Sequence, residues 1–228
     1  MVIRNLIIFS SLLLLGGCAA TTTKQQAFPK MYSENKPQTI VIAPVINNTM
    51  AAEASDYLNA TVAQPLANKG FYVMPVPVVS DVFKQAGVID GAQLKGVPAK
   101  TYYEKFGADA VLYITLTHWE TNYIVVGGNV TLGMEYVLVS THTNDVLWSY
   151  ANTLVVDTSG SSGNIIADLI VTAITTATTD YIPIARQVHS SATQTLPVGQ
   201  YHPRHGKDGS DINVVPELAS QAQQSISQ

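Results

Sequence analysis

Few residues of this chain have types and spacings that suggest chemistry. Leu15-Gly16-Gly17-Cys18 closes a short apolar run, and Cys18 is the one cysteine among 228 residues. A thiolate is a nucleophile able to accept a diacylglyceryl group, and two small residues before it let a membrane protease reach the backbone. The stretch therefore reads as a lipobox, with cleavage before Cys18 and then S-diacylglyceryl and N-acyl modification of that residue. Gly160-Ser161-Ser162-Gly163 has the composition of a serine nucleophile loop, but it lacks the strand-to-helix elbow spacing and a visible triad. His202-Pro203-Arg204-His205 offers two imidazoles to a metal and is read instead as two solvated side chains in a tail. His118 and His142 fall on or near strand ends, where Glu120 and Glu135 can approach them only if the sheet register allows it. Structural hydrogen bonding is the reading taken for both histidines. Neither a phosphate-cradling glycine motif nor a pair of metal-ligand histidines on one helix is present in the sequence. The sequence thus assigns no catalytic residue, no metal ligand and no cofactor, and the expectation is a protein that is not an enzyme.

Around Cys18 the chain is built for export. Arg4 is the only charge before an apolar run over residues 6–15, broken only by Ser10 and Ser11. That run is too short to span a bilayer, which needs about 20 apolar residues, and it fits a cleaved signal peptide over residues 1–17. Ala19, rather than aspartate, follows Cys18, which by the sorting rule of bacterial lipoproteins is an outer-membrane address. Several acyl chains on one residue would hold the chain firmly, where a single chain binds marginally. Residues 18–38 carry a threonine run, Pro29 and Pro37, and read as a tether able to reach roughly 65 Å, with Phe28 to Tyr32 the part most suited to packing on a domain. The formal charge is −4, which argues against nucleic acid or an anionic membrane surface as the main partner. Charged residues make up 12%, about half the usual share, so polarity rests on Thr, Ser, Asn and Gln. A lone cysteine excludes an intramolecular disulfide.

Periodicity then predicts the elements. Residues 39–46 form a β-branched strand apolar enough to be covered on both faces, with Pro44 at odds with its ladder. Residues 51–68 form a helix that Pro65 kinks or shortens, stopped by Lys69-Gly70. A second strand over residues 71–79 carries Pro75 and Pro77, which push it to the sheet edge. Strand, helix and strand make a right-handed parallel crossover. Ser80 caps a short helix ending at Gly87, and another runs over residues 99–106 to Gly107. Residues 109–122, 130–141 and 146–157 are long strands of an antiparallel meander, turned at Gly127-Gly128-Asn129 and Asn144-Asp145. Trp119, Trp148, Tyr123, Tyr136 and Tyr150 enrich it in aromatics, for the core or for a partner-facing patch. A last helix occupies residues 164–187, its regular part ended by Pro183. The whole is an α+β domain over residues 39–189, one mixed sheet with helices packed on it, followed by a polar, disordered tail over residues 190–228.

Three stretches resemble a known family. They are Thr39-Ile40-Val41-Ile42-Ala43-Pro44-Val45-Ile46-Asn47-Asn48-Thr49, Phe106-Gly107-Ala108-Asp109-Ala110-Val111-Leu112-Tyr113-Ile114 and Asn144-Asp145-Val146-Leu147-Trp148-Ser149. Together they look like a family of bacterial outer-membrane lipoproteins of unknown function, similar in fold to the curli-secretion lipoprotein and to the amino-terminal domain of TolB. The last stretch has Asn-Asp where relatives usually have Thr-Gly. The resemblance implies a mixed sheet with helices on its faces, and partners among envelope lipoproteins and transport proteins or copies of the chain itself. Only Cys18 takes a role from it. The expected function is a non-enzymatic assembly component of an envelope transport or secretion system, anchored in the outer membrane and facing the periplasm. The alternative is a small-molecule or lipid carrier. A carrier needs an apolar pocket between the last helix and the sheet; an assembly component needs a filled core with an exposed edge or apolar patch.

Overall fold

A computed structural model describes residues 22–33, 36–124, 127–157 and 181–214. Cys18, the 160–163 loop, most of the helix expected over residues 164–187 and the chain beyond Val214 lie outside the described residues. Six strands form one mixed sheet: β1 (Thr39–Ile42), β2 (Ile46–Asn47), β3 (Tyr72–Val73), β4 (Ala110–Ile124), β5 (Gly127–Ser140) and β6 (Val146–Asp157). Their order is β3-β1-β4-β5-β6, with β2 also on β4. β1 runs parallel to β3 and β4, whereas β4, β5 and β6 are antiparallel neighbours. This is the α+β arrangement expected, a parallel crossover joined to a meander.

β1 is covered on both faces. Ile40 and Ile42 point into one cluster and Val41 into the other, as alternation along a strand requires. The strand expected over residues 39–46 is nevertheless two pieces. Pro44 has no N–H for the ladder, so β1 stops at Ile42 and pairing resumes at Ile46. The helix expected over residues 51–68 is likewise divided into α3 (Ala54–Thr61) and α4 (Ala63–Asn68). Pro65 cannot donate to the Thr61 carbonyl, which removes the bond that would have carried the helix through Val62.

The strand expected over residues 71–79 shrinks to Tyr72–Val73 at the sheet edge. Pro75 and Pro77 instead open α5 (Val76–Gln85), where missing N–H groups cost nothing. Ser80 therefore lies inside α5 and does not cap it. α6 (Lys100–Phe106) ends as expected at Gly107, whose φ of +67° suits glycine and whose N–H donates to Tyr103 O at 2.7 Å. In the meander, Gly127, Gly128 and Asn129 pair with Ile124, Tyr123 and Asn122 as strand, so the turn is not where it was expected. Asn144, with φ of +61°, makes the second turn as expected.

Two apolar layers sandwich the sheet. On one face Leu112, Ile114, Leu132, Met134, Leu138 and Trp148 meet Leu58, Leu66, Ile184 and Val188 from helices. On the other, Val41 and Val111 meet Val79, Ala99 and Tyr102. Residues 182–193 form α7 (Ile182–Thr193), with Pro183 in its first turn. α7 continues past Gln187 because Ile184, Ala185, Val188 and Ala192 extend its buried stripe.

The tail expected from residue 190 is packed as far as it is described. Leu196 is fully buried. Gly199 N donates to Lys69 O at 2.7 Å and Tyr201 N to Gly70 O at 3.0 Å, forming a strap across the α4 turn. The approach needs glycine, since a Cβ on Gly199 would sit 2.4 Å from Gly70 O. The strap also holds the N-terminal segment, which was expected to be a free tether. α1 (Lys24–Ala27) and α2 (Pro29–Tyr32) attach through Lys24 N to Asp211 O at 2.9 Å and Gln25 N to Gly209 O at 3.0 Å. Thr23 and Gln26 form a capping box on α1, and Met31 is buried beside Phe28 and Tyr32. Polar composition concealed both segments, because their anchoring is mainly backbone pairing with each other rather than an apolar stripe.

Candidate functional site

The flagged polar residues fall in separate places. Asp109 sits at the start of β4, where its Oδ2 accepts from Gln38 N and Thr39 N, both at 3.0 Å. Its Oδ1 lies 3.3 Å from His142 Nε2, beside a crevice of about 170 Å³ that Lys36 and Ser140 also line. Aspartate, histidine and serine are thus close, but Ser140 Oγ accepts from His142 N and Thr143 N and closes the hairpin turn. The His142 ring lies tilted against Tyr103, with centroids 4.6 Å apart. The group works as a turn and strand-entry clamp. His118 Nε2 meets Glu120 Oε2 at 3.3 Å along β4 itself, the histidine half-buried and the glutamate exposed. Glu135 is in register with Thr115 instead, so it does not join them. His202 Nδ1 accepts from Arg204 N at 3.1 Å, and Arg204 grips Asp211 with two bonds of 2.9 and 2.8 Å, which hold the Asp211 carboxyl below its usual range. Among the described residues no group of three or more His, Cys, Asp or Glu converges on a metal-sized space.

Two polar clusters escaped the sequence reading. His189, on α7, is fully buried. Its Nε2 lies 3.1 Å from Leu58 O, which can only accept, so Nε2 carries the proton. Nδ1 then accepts from Tyr136 Oη at 2.8 Å. Burial pushes His189 down to about 4 and Tyr136 upward, so both stay neutral. One imidazole thereby ties α3, β5 and α7 together. Its signal was its place in the 184, 185, 188, 192 stripe, which becomes visible only if the helix runs past residue 187. The second cluster is at the far end of α7. Lys24 Nζ donates to Leu196 O at 3.3 Å and Lys69 Nζ to Gln194 O at 3.4 Å, two cations where a helix end presents free carbonyls. Burial lowers both lysines, Lys69 to about 8, helped by repulsion from Lys24. Asp208, 1% exposed, is the counter-charge, and its Oδ2 accepts from Val198 N at 2.9 Å.

The surfaces differ more than the polar groups do. Between α7 and the meander only about 10 Å³ is open, lined by Leu132, Met134, Tyr150, Leu154 and Val188. That is room for at most one water. On the opposite face, α5 and α6 diverge over an apolar groove of about 230 Å³, with Val82, Phe83, Leu94, Val97, Tyr102 and Phe106 along it. Phe83 packs 6.0 Å from Tyr102 and 5.6 Å from Phe106, forming its floor. Val82 is 42% and nearby Ile89 88% exposed. The sheet has two unlike edges. β3 is two residues long and runs into Pro75. β6 is 12 residues long, without proline, and has no charge between Asp145 and Asp157. No strand among the described residues pairs with its outer side. Ser149, Ala151, Thr153 and Val155 stand exposed on the face away from α7. No described helix is long and apolar enough to cross a membrane.

Known proteins resemble this chain. A curated relative, "Putative lipoprotein NMB1124/NMB1162" of Neisseria meningitidis serogroup B, is 28% identical over 165 residues, 72% of this chain and 77% of the relative. The crystal structure of lipoprotein GNA1162 from Neisseria meningitidis superposes with a TM-score of 0.52 at 30% identity, covering 60% of this chain and 95% of that one. The PelC dodecamer from Paraburkholderia phytofirmans has a likeness of TM-score 0.46 at 15% identity, over 72% of this chain and 89% of its own. The stretches of β1, of the α6 to β4 junction and of the second hairpin all fall inside residues 30–202, the span over which this chain matches, and so belongs to, the family described as "Putative lipoprotein GNA1162-like".

Proposed function

We propose that this protein is anchored in the bacterial outer membrane through acylated Cys18, faces the periplasm, and serves without enzymatic activity as an assembly component of an envelope transport or secretion system. The observation that carries the assembly reading is the outer edge of β6. Unpaired strand edges recruit other strands, and proteins that avoid this guard them with lysine, proline, bulges or short length. β3 has two of those guards, short length and proline; β6 has neither of these, its one irregularity being a bulge at Leu147 near its start. Its partners in this reading are other envelope lipoproteins, transport proteins or further copies of the chain. The closed space between α7 and the sheet gives the carrier alternative no support there. The family's description as lipoproteins agrees with the lipobox chemistry of Cys18.

Two measurements test this. Cys18→Ser should abolish fatty-acid labelling and release the protein from membranes, and labelling that persists defeats the anchor. A photo-crosslinking amino acid at Ala151 in the anchored protein should capture a protein partner in cells, while the same group at exposed Lys207 should not. Recovery of monomer alone from both positions defeats the assembly role of β6.

A further inference from the structure

The point at which the N-terminal segment leaves the domain is fixed by its pairing with the strap. Thr23 bridges Ile212, and Thr22 O accepts from Asn213 N at 2.8 Å. Residues 22–33 are thus part of the domain, and Lys30 adds an ion pair to Asp145 of the second hairpin. From Cys18 to Thr22 the chain spans at most about 15 Å even fully extended, against roughly 65 Å for a tether over residues 18–38. An acylated Cys18 would hold whatever surrounds Thr22 within about that shorter distance of the lipid headgroups.

The surface around Thr22 is suited to that position. Ile212 is 55% and Val214 60% exposed, one on either side of the Asn213 that binds Thr22. Neither belongs to the two apolar layers of the core. Anionic headgroups repel carboxylates, and here the carboxylates are withdrawn. Residues 22–33 contain no Asp or Glu, and residues 194–214 contain two. Asp208 is buried, and Asp211 is gripped by Arg204 through two hydrogen bonds. Lys207 of the same strap is exposed. An acidic chain therefore shows neutralised acids and two exposed apolar side chains where its leash emerges. The α5–α6 groove is more apolar, but it lies on the other face of the sheet from the layer that Met31 and Leu196 join.

We infer that the strap surface around Ile212 and Val214 rests on the bilayer holding the acyl chains of Cys18, with these two side chains entering the headgroup region. Apolar area buried at such an interface adds to the hold of an anchor. The inference rests on the anchoring reading of Cys18 and goes beyond it by naming the face turned to the lipid. It also requires the N-terminal segment to stay docked on the strap.

The test replaces Ile212, Val214 or, as a control on the other face, Val82 with a diazirine-bearing amino acid. Phospholipid adducts are read by mass after irradiation in vesicles of phosphatidylethanolamine and phosphatidylglycerol. Two preparations are compared. One is the protein purified from cell membranes, in which the mass of the N-terminal peptide reports acylation of Cys18. The other is residues 18–228 made without the leader, with the single thiol coupled to a maleimide phospholipid. Lipid adducts should form at positions 212 and 214 and be absent at position 82. Absence of lipid adducts at 212 and 214 while the chain is lipid-linked overturns the inference, and so does an equal yield at all three positions. Adducts at 212 and 214 to a second copy of the chain instead of lipid also overturn it. An unacylated peptide from the first preparation defeats the anchoring reading, and the second preparation then still decides which face meets the bilayer.

Discussion

His189 shows how one residue can hold three elements. Removing the imidazole leaves Tyr136 Oη buried without its acceptor, at about 1–3 kcal/mol, and takes one of the bonds from Leu58 O, which keeps Val62 N at 3.2 Å. His189→Ala should therefore lower unfolding free energy by roughly 3–5 kcal/mol, read from urea denaturation, with the cavity adding to the lost bonds. The same residue sets a pH dependence. Its folded value is near 4 against 6.5 for an ordinary histidine, so between these values the unfolded chain binds the extra proton and the folded chain does not. Its contribution is complete above about pH 6.5 and declines as pH falls to about 4. The slope is about 1.4 kcal/mol per unit and the total about 3 kcal/mol. Denaturation midpoints measured from pH 7 to pH 4 should show this decline, and His189→Ala should flatten it. Sequence alone left His189 unremarked, because its meaning depends on Leu58, 131 residues away.

Among the elements, the strap over residues 194–214 is the one whose role depends least on its own composition. It has no helix and few apolar residues, yet it closes α4, caps α7 and pins α1. Asp208 is its charged centre. Asp208→Ala would orphan Val198 N and leave Lys24 and Lys69 without their nearest buried counter-charge. The expected loss is about 3 kcal/mol in a urea titration, the scale found when one partner of a buried charge cluster is removed. Elements with strong local codes were legible: the glycine stop after α6, the β-branched β1 and the alternation of Leu112, Ile114 and Leu116. Prolines were read less well. Pro75 and Pro77 suggest an edge strand but open a helix, and Pro183 stands in the first turn of α7, the helix expected before it lying outside the described residues. A proline says that an N–H is missing, and both contexts satisfy that equally.

At the scale of the whole molecule, the first and last described segments close the domain by binding each other, through Thr23 and Ile212 and the bonds beside them. A chain cut after residue 189, the boundary that composition suggests, would lose buried Ala192, Leu196 and Asp208. It should unfold without a cooperative transition by circular dichroism and be cleaved rapidly by protease, whereas a chain ending at Val214 should keep the full transition. The GNA1162-like family match runs to residue 202 and so includes Leu196 and Gly199 of this strap. The sequence by itself determined the lipobox at Cys18 as an expectation, the α+β class and the meander, because export signals and period-two or period-3.6 patterns are local. Tertiary structure alone decided that the supposed tether and tail are one docked unit and that His189 is a buried tie. Those facts arise from contacts between residues far apart in the chain, and backbone pairing and burial of polar groups leave almost no mark on composition.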